Sequence, residues 1–442
     1  MASLGIMAGA RITIAPEDTF ASPSTTEARD IDISGLSTAY PLQVTRASWK
    51  QAAEAGRLSV RDMALTSFQG GNPPVVVDAA VKASGPVDSI TGELELVLPG
   101  RGFGANDPDS TALGVILNSA LSAEVRTPGT SFVGTYASAN TMTHASGDDG
   151  EVEVGDIIVV KQTNATYRAC KVTAYNSGTR TITTLEPHGI PAAGTATVRQ
   201  CHMYFAPAST SPAGGSFVVE MSTPDELHSR RYVGCVMTRF AVRTTENGGI
   251  EYVIGIRAHD GERDTAPVLT AAAPLPLGVS GTTPLAARVA PLLVSQNHSA
   301  SSAPYSGTAS ALPARSWSAS FDAALAPVAD QGTRCRASDC EVADVRVTGE
   351  FVQSSPSTGV DWQTVTRLSR KHSAAFTAAG ADAAGNGMGV WVGSVECQED
   401  PGITFDEQDR TQVVSFRAGD YSGDDSTDIG KVNAAAILFF VA

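Results

Sequence analysis

The residues able to do acid–base, nucleophilic or metal chemistry are scattered along this 442-residue chain. Its histidines stand at 144, 188, 202, 228, 259, 298 and 372. None forms HExxH or sits at zinc-ligand spacing from a cysteine, and the adjacent Cys201-His202 is suggestive only in isolation. Loop calcium is the chemistry that Gly147-Asp-Asp-Gly150 and the aspartates between Asp420 and Asp428 would do, but neither has EF-hand spacing. Gly100-Arg-Gly-Phe-Gly104 follows a strand and precedes a helix, as a dinucleotide-binding loop does. Its spacing is not GxGxxG and Pro99 breaks the strand, so it reads as a glycine turn. No GxSxG elbow and no Ser/His/Asp order is found. No catalytic, metal-binding or cofactor-binding residue is expected, and the chain does not read as an enzyme.

The chain instead carries a repeated pattern. Tyr232-Val-Gly-Cys-Val236 returns as Trp391-Val-Gly-Ser-Val395, and Gly255-Ile-Arg-Ala-His-Asp260 returns as Ser415-Phe-Arg-Ala-Gly-Asp420. Upstream, Ile90-Thr-Gly-Glu93 is echoed by Val347-Thr-Gly-Glu350. The order is kept, which is the mark of one module duplicated in tandem. The equivalent positions are Tyr232, Gly234, Arg257 and Asp260 in the first copy and Trp391, Gly393, Arg417 and Asp420 in the second. Each aromatic reads as an inward side chain, and each glycine as a bulge or close approach of strands. The Arg257/Asp260 and Arg417/Asp420 pairs read equally as bridges between subunits or as turn-closing pairs.

Composition narrows the class. With 42 Gly and 24 Pro, short strands and turns are favoured over long helices. The net charge of −15 argues against sequence-specific DNA binding. Six cysteines give no disulfide ladder. Cys335 and Cys340 are close enough to meet across a loop, but free thiols of a reducing cytoplasm fit the spacing better. The longest apolar run, Ala434 to Ala442, is shorter than the roughly 20 residues a spanning helix needs. The N-terminus lacks a basic leader and is broken by Gly5 and Gly9, so neither a membrane span nor a signal peptide is expected.

Four segments follow. Residues 1–31 read as an N-terminal arm with a strand at 10–15. Residues 32–264 form the first module, with strands at Val75–Val81 and Glu93–Leu98. In the latter, Glu93, Glu95 and Val97 share one face and Leu94, Leu96 and Leu98 the other. A helix is expected over 110–122, capped by Asp109 or Ser110, with Leu113, Ile116, Leu117 and Leu121 on one stripe. The first copy is much longer between its marks, Thr91 to Tyr232 against Thr348 to Trp391. The excess, about 135–215, alternates as strands and reads as a small β-barrel or extended hairpin grown from a loop. Residues 265–316 are rich in Ala, Pro and Ser and read as a linker. Residues 317–442 form the second module, with a helix from Asp361 through Trp362 to Phe376, and a terminal strand Ala436–Val441 that must be central or covered.

This pattern resembles the major tail tube proteins of long-tailed, non-contractile bacteriophages, in their two-copy form. The likeness rests on Glu93–Leu98, the helix, Phe217–Met221, the paired Arg230–Arg243 and Gly248–Ile256 around a glycine turn, Ser316–Asp322, Asp344–Phe351 and the terminal strand. It implies an all-β fold with one short helix per module, built of tandem β-sandwich or barrel modules that form a β-lined ring. It further implies a virion protein, assembled in the bacterial cytoplasm, whose rings stack into the tube through which genomic DNA passes without specific binding. Its implied partners are further copies of itself, adjacent rings, and the tape measure, tail terminator and baseplate proteins. Trimers with pseudo-six-fold symmetry are expected first and hexamers second. An acidic lumen would let DNA slide, with Glu93, Glu95 and Glu350 as candidate lining residues. The competing readings are a virion decoration or adhesin, and a tail terminator or baseplate hub.

Overall fold

Along Gly92–Pro99 the acids and Val97 alternate with leucines, and in the computed structural model Leu94, Leu96 and Leu98 are all at 1% exposure or less. The structure describes residues 11–17, 33, 36, 38–42, 44–51, 92–104, 106–128, 131–145, 152–161, 167–186, 194–207, 215–222, 229–245, 247–264, 267–269, 285, 292–295, 309–312, 314–329, 337–354, 362, 373–379, 385–399, 403–406, 409–419 and 430–442. The strand expected at Val75–Val81, Cys335, both aspartate clusters and Asp420 lie outside them.

Gly92–Pro99 belongs to a long antiparallel sheet. Arg46–Gln51 flanks it on one side and Ile250–Ala258 on the other. Ser229–Thr244, Ala314–Ala329, Ala337–Ser354 and Asp409–Ala418 follow in that order. Val395–Cys397 and Ile403–Asp406 share the far edge. Residues 46–258 supply one half of this sheet and residues 314–418 the other. The halves join where Arg239–Arg243 pairs with Ser318–Asp322. In both halves the first and second strands along the chain are neighbours, the last lies next, and what precedes the last in the chain lies farthest: one strand in the first half, and two short strands sharing the edge in the second.

The leucines of Gly92–Pro99 face one continuous core with Ile254, Phe240, Phe321, Phe351 and Phe416 from both halves. A second sheet covers that core. Its centre is Gly387–Val392, Ala436–Val441 and the end of Thr195–Phe205. The terminal strand is central, bonded on both sides and buried on both faces, which explains why Ala436–Val441 is apolar throughout. Leu438 and Phe440 join the shared core; Ile437 and Phe439 face the other way.

What Ile437 and Phe439 face is a closed six-stranded antiparallel barrel. Its strands run Ser131–Tyr136, Thr141–Thr143, Thr181–Thr184, Tyr167–Asn176, Ile157–Lys161 and the start of Thr195–Phe205, which returns to the first. Of the two forms open for the inserted segment, the barrel is the one present. Closure leaves no free strand edge, and Phe132, Met142, Ile158, Val172 and Val198 fill its interior. Long sheet, second sheet and barrel therefore form three layers.

Some expectations change. The helix is Ala112–Asn118, capped by Thr111, whose Oγ1 accepts the Gly114 N–H at 3.1 Å. Asp109 and Ser110 belong to the preceding 3-10 turn. Trp362 is helical, but Ala374–Ala379 is a strand in which Phe376 pairs with Val390. A partner strand overrides the helical spacing there. Arg11–Pro16, from the arm, pairs with Phe217–Ser222 and Tyr40–Leu42. Within the linker, Leu292–Ser295 and Ala309–Leu312 pair and extend the second sheet.

Candidate functional site

No described cluster has the geometry of a catalytic centre. Cys201 and His202 point to opposite faces of their strand: Cys201 packs under the barrel, while His202 Nδ1 accepts the Arg126 N–H at 3.2 Å. Burial pushes the His202 pKa down to about 4, against a small opposing pull from Asp107. His259 is buried with Nδ1 2.8 Å from the Gly234 carbonyl. His144 sits 3.2 Å from the Tyr175 hydroxyl. Gly100–Gly104 is a glycine turn. Gly104 has φ +66° and donates its N–H to the Gly385 carbonyl at 3.0 Å, Gly385 itself being at φ +74°, so two turns far apart in sequence clasp backbone to backbone.

Among the described residues, Glu124, Glu153 and Asp156 are the acids grouped closely enough to hold an ion. Protein cations already fill that space. Lys431 Nζ lies 2.7 Å from Glu124, 2.7 Å from Glu153 and 2.8 Å from Asp156, and Arg126 bonds Glu124 and Asp156. Burial alone would lower the Lys431 pKa; Asp156, Glu124 and Glu153 outweigh it and hold the ammonium above the ordinary lysine value. Beside this cluster, Lys171 of the barrel donates to the Val432 carbonyl at 2.7 Å and lies 4.3 Å over the Trp391 ring. Buried Glu186 accepts from Trp391 Nε1 at 2.7 Å and from the Lys171 N–H at 2.9 Å. Burial raises its pKa, and those bonds only partly offset the shift. These contacts fix the barrel to the second sheet.

The repeated motifs mark places where the chain changes sheets. At Tyr232–Val236 the strand Ser229–Thr244 leaves its pairing with Phe217–Ser222 and takes up Ile250–Ala258. Gly234 makes that turn at φ +59°, its N–H donating to both Glu17 carboxylate oxygens at 3.2 Å. At Trp391–Val395 the chain leaves the second sheet, and Val395 joins the long sheet opposite Ala418. Gly393 donates its N–H to the Ala435 carbonyl at 2.8 Å. Tyr232 and Trp391 are both buried. Arg257 and Asp260 do not pair with each other. Arg257 lies opposite Glu93 on the open face, whereas Asp260 is buried and accepts the Gly261 N–H. Arg417 pairs with Glu396 at 2.9 Å, and its expected partner Asp420 lies outside the described residues.

The open face of the long sheet, turned away from the shared core, carries charged side chains around a small buried centre of Val97, Ala241 and Val253. One row of cross-strand neighbours crosses it from Arg46 through Val97, Val253, Ala241, Ser320, Thr348 and Arg417 to Glu396. Glu93, Glu95 and Glu350 all lie on this face, by their alternation with Leu94 and Phe351 in the core. The face is not uniformly acidic. Arginines interleave with the acids in the ion pairs Arg46–Glu95, Arg239–Asp322, Arg243–Glu251, Arg346–Asp344 and Arg417–Glu396. Of the paired acids, the sequence picks out only Glu95, whose partner Arg46 lies on a strand 49 residues away; Arg243–Glu251 and Arg346–Asp344 are close in sequence but were not expected as pairs.

The long sheet ends in two edges, Arg46–Gln51 on one side and Val395–Cys397 with Ile403–Asp406 on the other. Among the described residues neither carries a further strand. No helix of the described residues is long and apolar enough to cross a membrane. No protein-family model matches this chain, and no curated protein matches it either.

Proposed function

We propose that this chain is a structural protein that closes with copies of itself into rings, and that the rings stack into the tail tube of a long-tailed, non-contractile bacteriophage. The supporting observation is the long sheet: two halves with one strand order, fused edge to edge inside one chain and ending in two open edges. The same order in both halves, and repeated motifs that change sheets in both, support a tandem duplication. The internal junction between Arg239–Arg243 and Ser318–Asp322 is then the pattern for the contact between copies.

Strand spacing favours the trimer. The row from Arg46 to Glu396 crosses eight strands. Three copies give about 24 strands at about 4.8 Å, a backbone circumference of roughly 115 Å and a diameter of roughly 37 Å before strand tilt. Side chains then narrow the bore to a width that suits a DNA duplex, whereas six copies would double it. The barrel, on the opposite side of the second sheet, would stand outside the tube. Negative-stain microscopy of the purified protein tests this reading. Rings or tubes with a central hole are expected; globular monomers persisting at high concentration would count against it.

A further inference from the structure

The open face of the long sheet pairs nearly every described arginine with a carboxylate of the same face. Arg243 holds Glu251 through Nε at 3.1 Å and Nη2 at 2.9 Å. Arg417 meets Glu396 at 2.9 Å, Arg346 meets Asp344 at 2.9 Å, Arg46 meets Glu95 at 3.3 Å and Arg239 meets Asp322 at 3.5 Å. Ser320 bridges the last pair, accepting from Arg239 Nε and donating to Asp322. The arginines are open to solvent, from 49% exposed at Arg243 to 81% at Arg346, while Glu251 and Glu396 are about a third exposed. Exposed pairs of this kind are weak and exchange readily.

We infer that this face is a self-shielded contact surface for duplex DNA, on which each arginine reaches a phosphate only by giving up its own carboxylate. Arginine recognises carboxylate and phosphate oxygens with the same planar fork. An unshielded array of arginines would trap a polyanion by releasing its counterions. A purely acidic face would repel it at every step. Paired arginines make each phosphate contact an exchange between two anions, nearly balanced and short-lived, so the duplex is held centred and still moves. The inference rests on the proposal that this face lines a DNA channel, and it replaces a uniformly acidic lining with a neutralised one.

The test is fluorescence anisotropy of a labelled short DNA duplex against the full-length protein, kept below its assembly concentration, from about 20 to 200 mM salt. Glu251→Gln with Glu396→Gln frees Arg243 and Arg417. This variant is expected to bind the duplex at least tenfold more tightly than wild type at low salt. The slope of log affinity against log salt should steepen by about two, one per freed arginine. Arg243→Gln with Glu251→Gln keeps the net charge of the wild type and should bind no better than it. Asp109→Asn, on the helix side, should leave binding near wild type. The inference is overturned if freeing the arginines leaves affinity and slope unchanged, or if Asp109→Asn raises binding as much as Glu251→Gln alone. Microscopy of the same proteins, concentrated to where wild type is expected to assemble, separates the two proposals. Tubes without a gain in DNA binding defeat the shielding alone; a gain without rings or tubes defeats the tube and leaves the surface property standing.

Discussion

Gly234 sits at φ +59°, where a Cβ crowds the backbone, and its N–H is tied to buried Glu17. Gly234→Ala is expected to cost about 1–2 kcal/mol from that strain, read as a lowered urea midpoint with unchanged slope. Its counterpart Gly393 has no positive φ, so Gly393→Ala should cost less. The sequence marked both glycines as one kind of position. It could not show that only one needs left-handed backbone, because the long strand bends without a break at Gly234, whereas the chain stops one strand and starts another around Gly393. A second residue-scale prediction concerns pH. His202 is neutral in the fold, with its pKa pushed down by burial to about 4, below the unfolded value near 6.5. Protonation therefore favours the unfolded chain. His202 has no effect on pH dependence above about 6.5, and stability is lost as pH falls from there towards 4. Glu153, lowered chiefly by its hydrogen bond from Lys431, adds loss in the carboxylate range, while Glu186, raised by burial, opposes it. Denaturant titrations from pH 7 to pH 4 should show falling stability, and His202→Gln should flatten the part between about 6.5 and 4.

Among the elements, the barrel depends most on contacts that sequence does not display. Its strands were legible because Ile157–Lys161, Tyr167–Asn176 and Thr181–Thr184 alternate and are punctuated by Gly155, at φ +95°. Its mounting was not, because Lys431 and Trp391 come from the far end of the chain to meet Glu153, Asp156 and Glu186. Lys431→Met removes an ammonium from three carboxylates and leaves Arg126 as their cation. A loss of about 2 kcal/mol is expected for breaking this partly buried network. Hydrogen exchange should quicken in the barrel and in residues 430–433, with the long sheet unaffected and ring formation retained. Equal quickening throughout the fold would show that the cluster supports the whole domain instead. The strand Ala374–Ala379 gives the converse lesson. Phe376 fitted a helical stripe on paper, and only pairing with Gly387–Val392 decided otherwise.

For the whole molecule, the layered β architecture followed from alternation in a few strands, with Glu93–Leu98 the clearest. The continuity of one sheet across both halves did not, since it depends on Arg239–Arg243 meeting Ser318–Asp322 across a long stretch of chain. The candidate face was legible only in part: Glu93 and Glu95 stood out by period, whereas Glu251, Asp322, Asp344 and Glu396 and the arginines gained meaning only as neighbours. Closure of that sheet between copies is the central claim, and a cryo-electron microscopy reconstruction of the assembled protein tests it most directly. The account predicts a ring of three chains whose bore is lined by the long sheet, with Arg46–Gln51 of each copy beside Val395–Asp406 of the next. A bore lined by the barrel or the second sheet, or an assembly in which those edges stay apart, would contradict it.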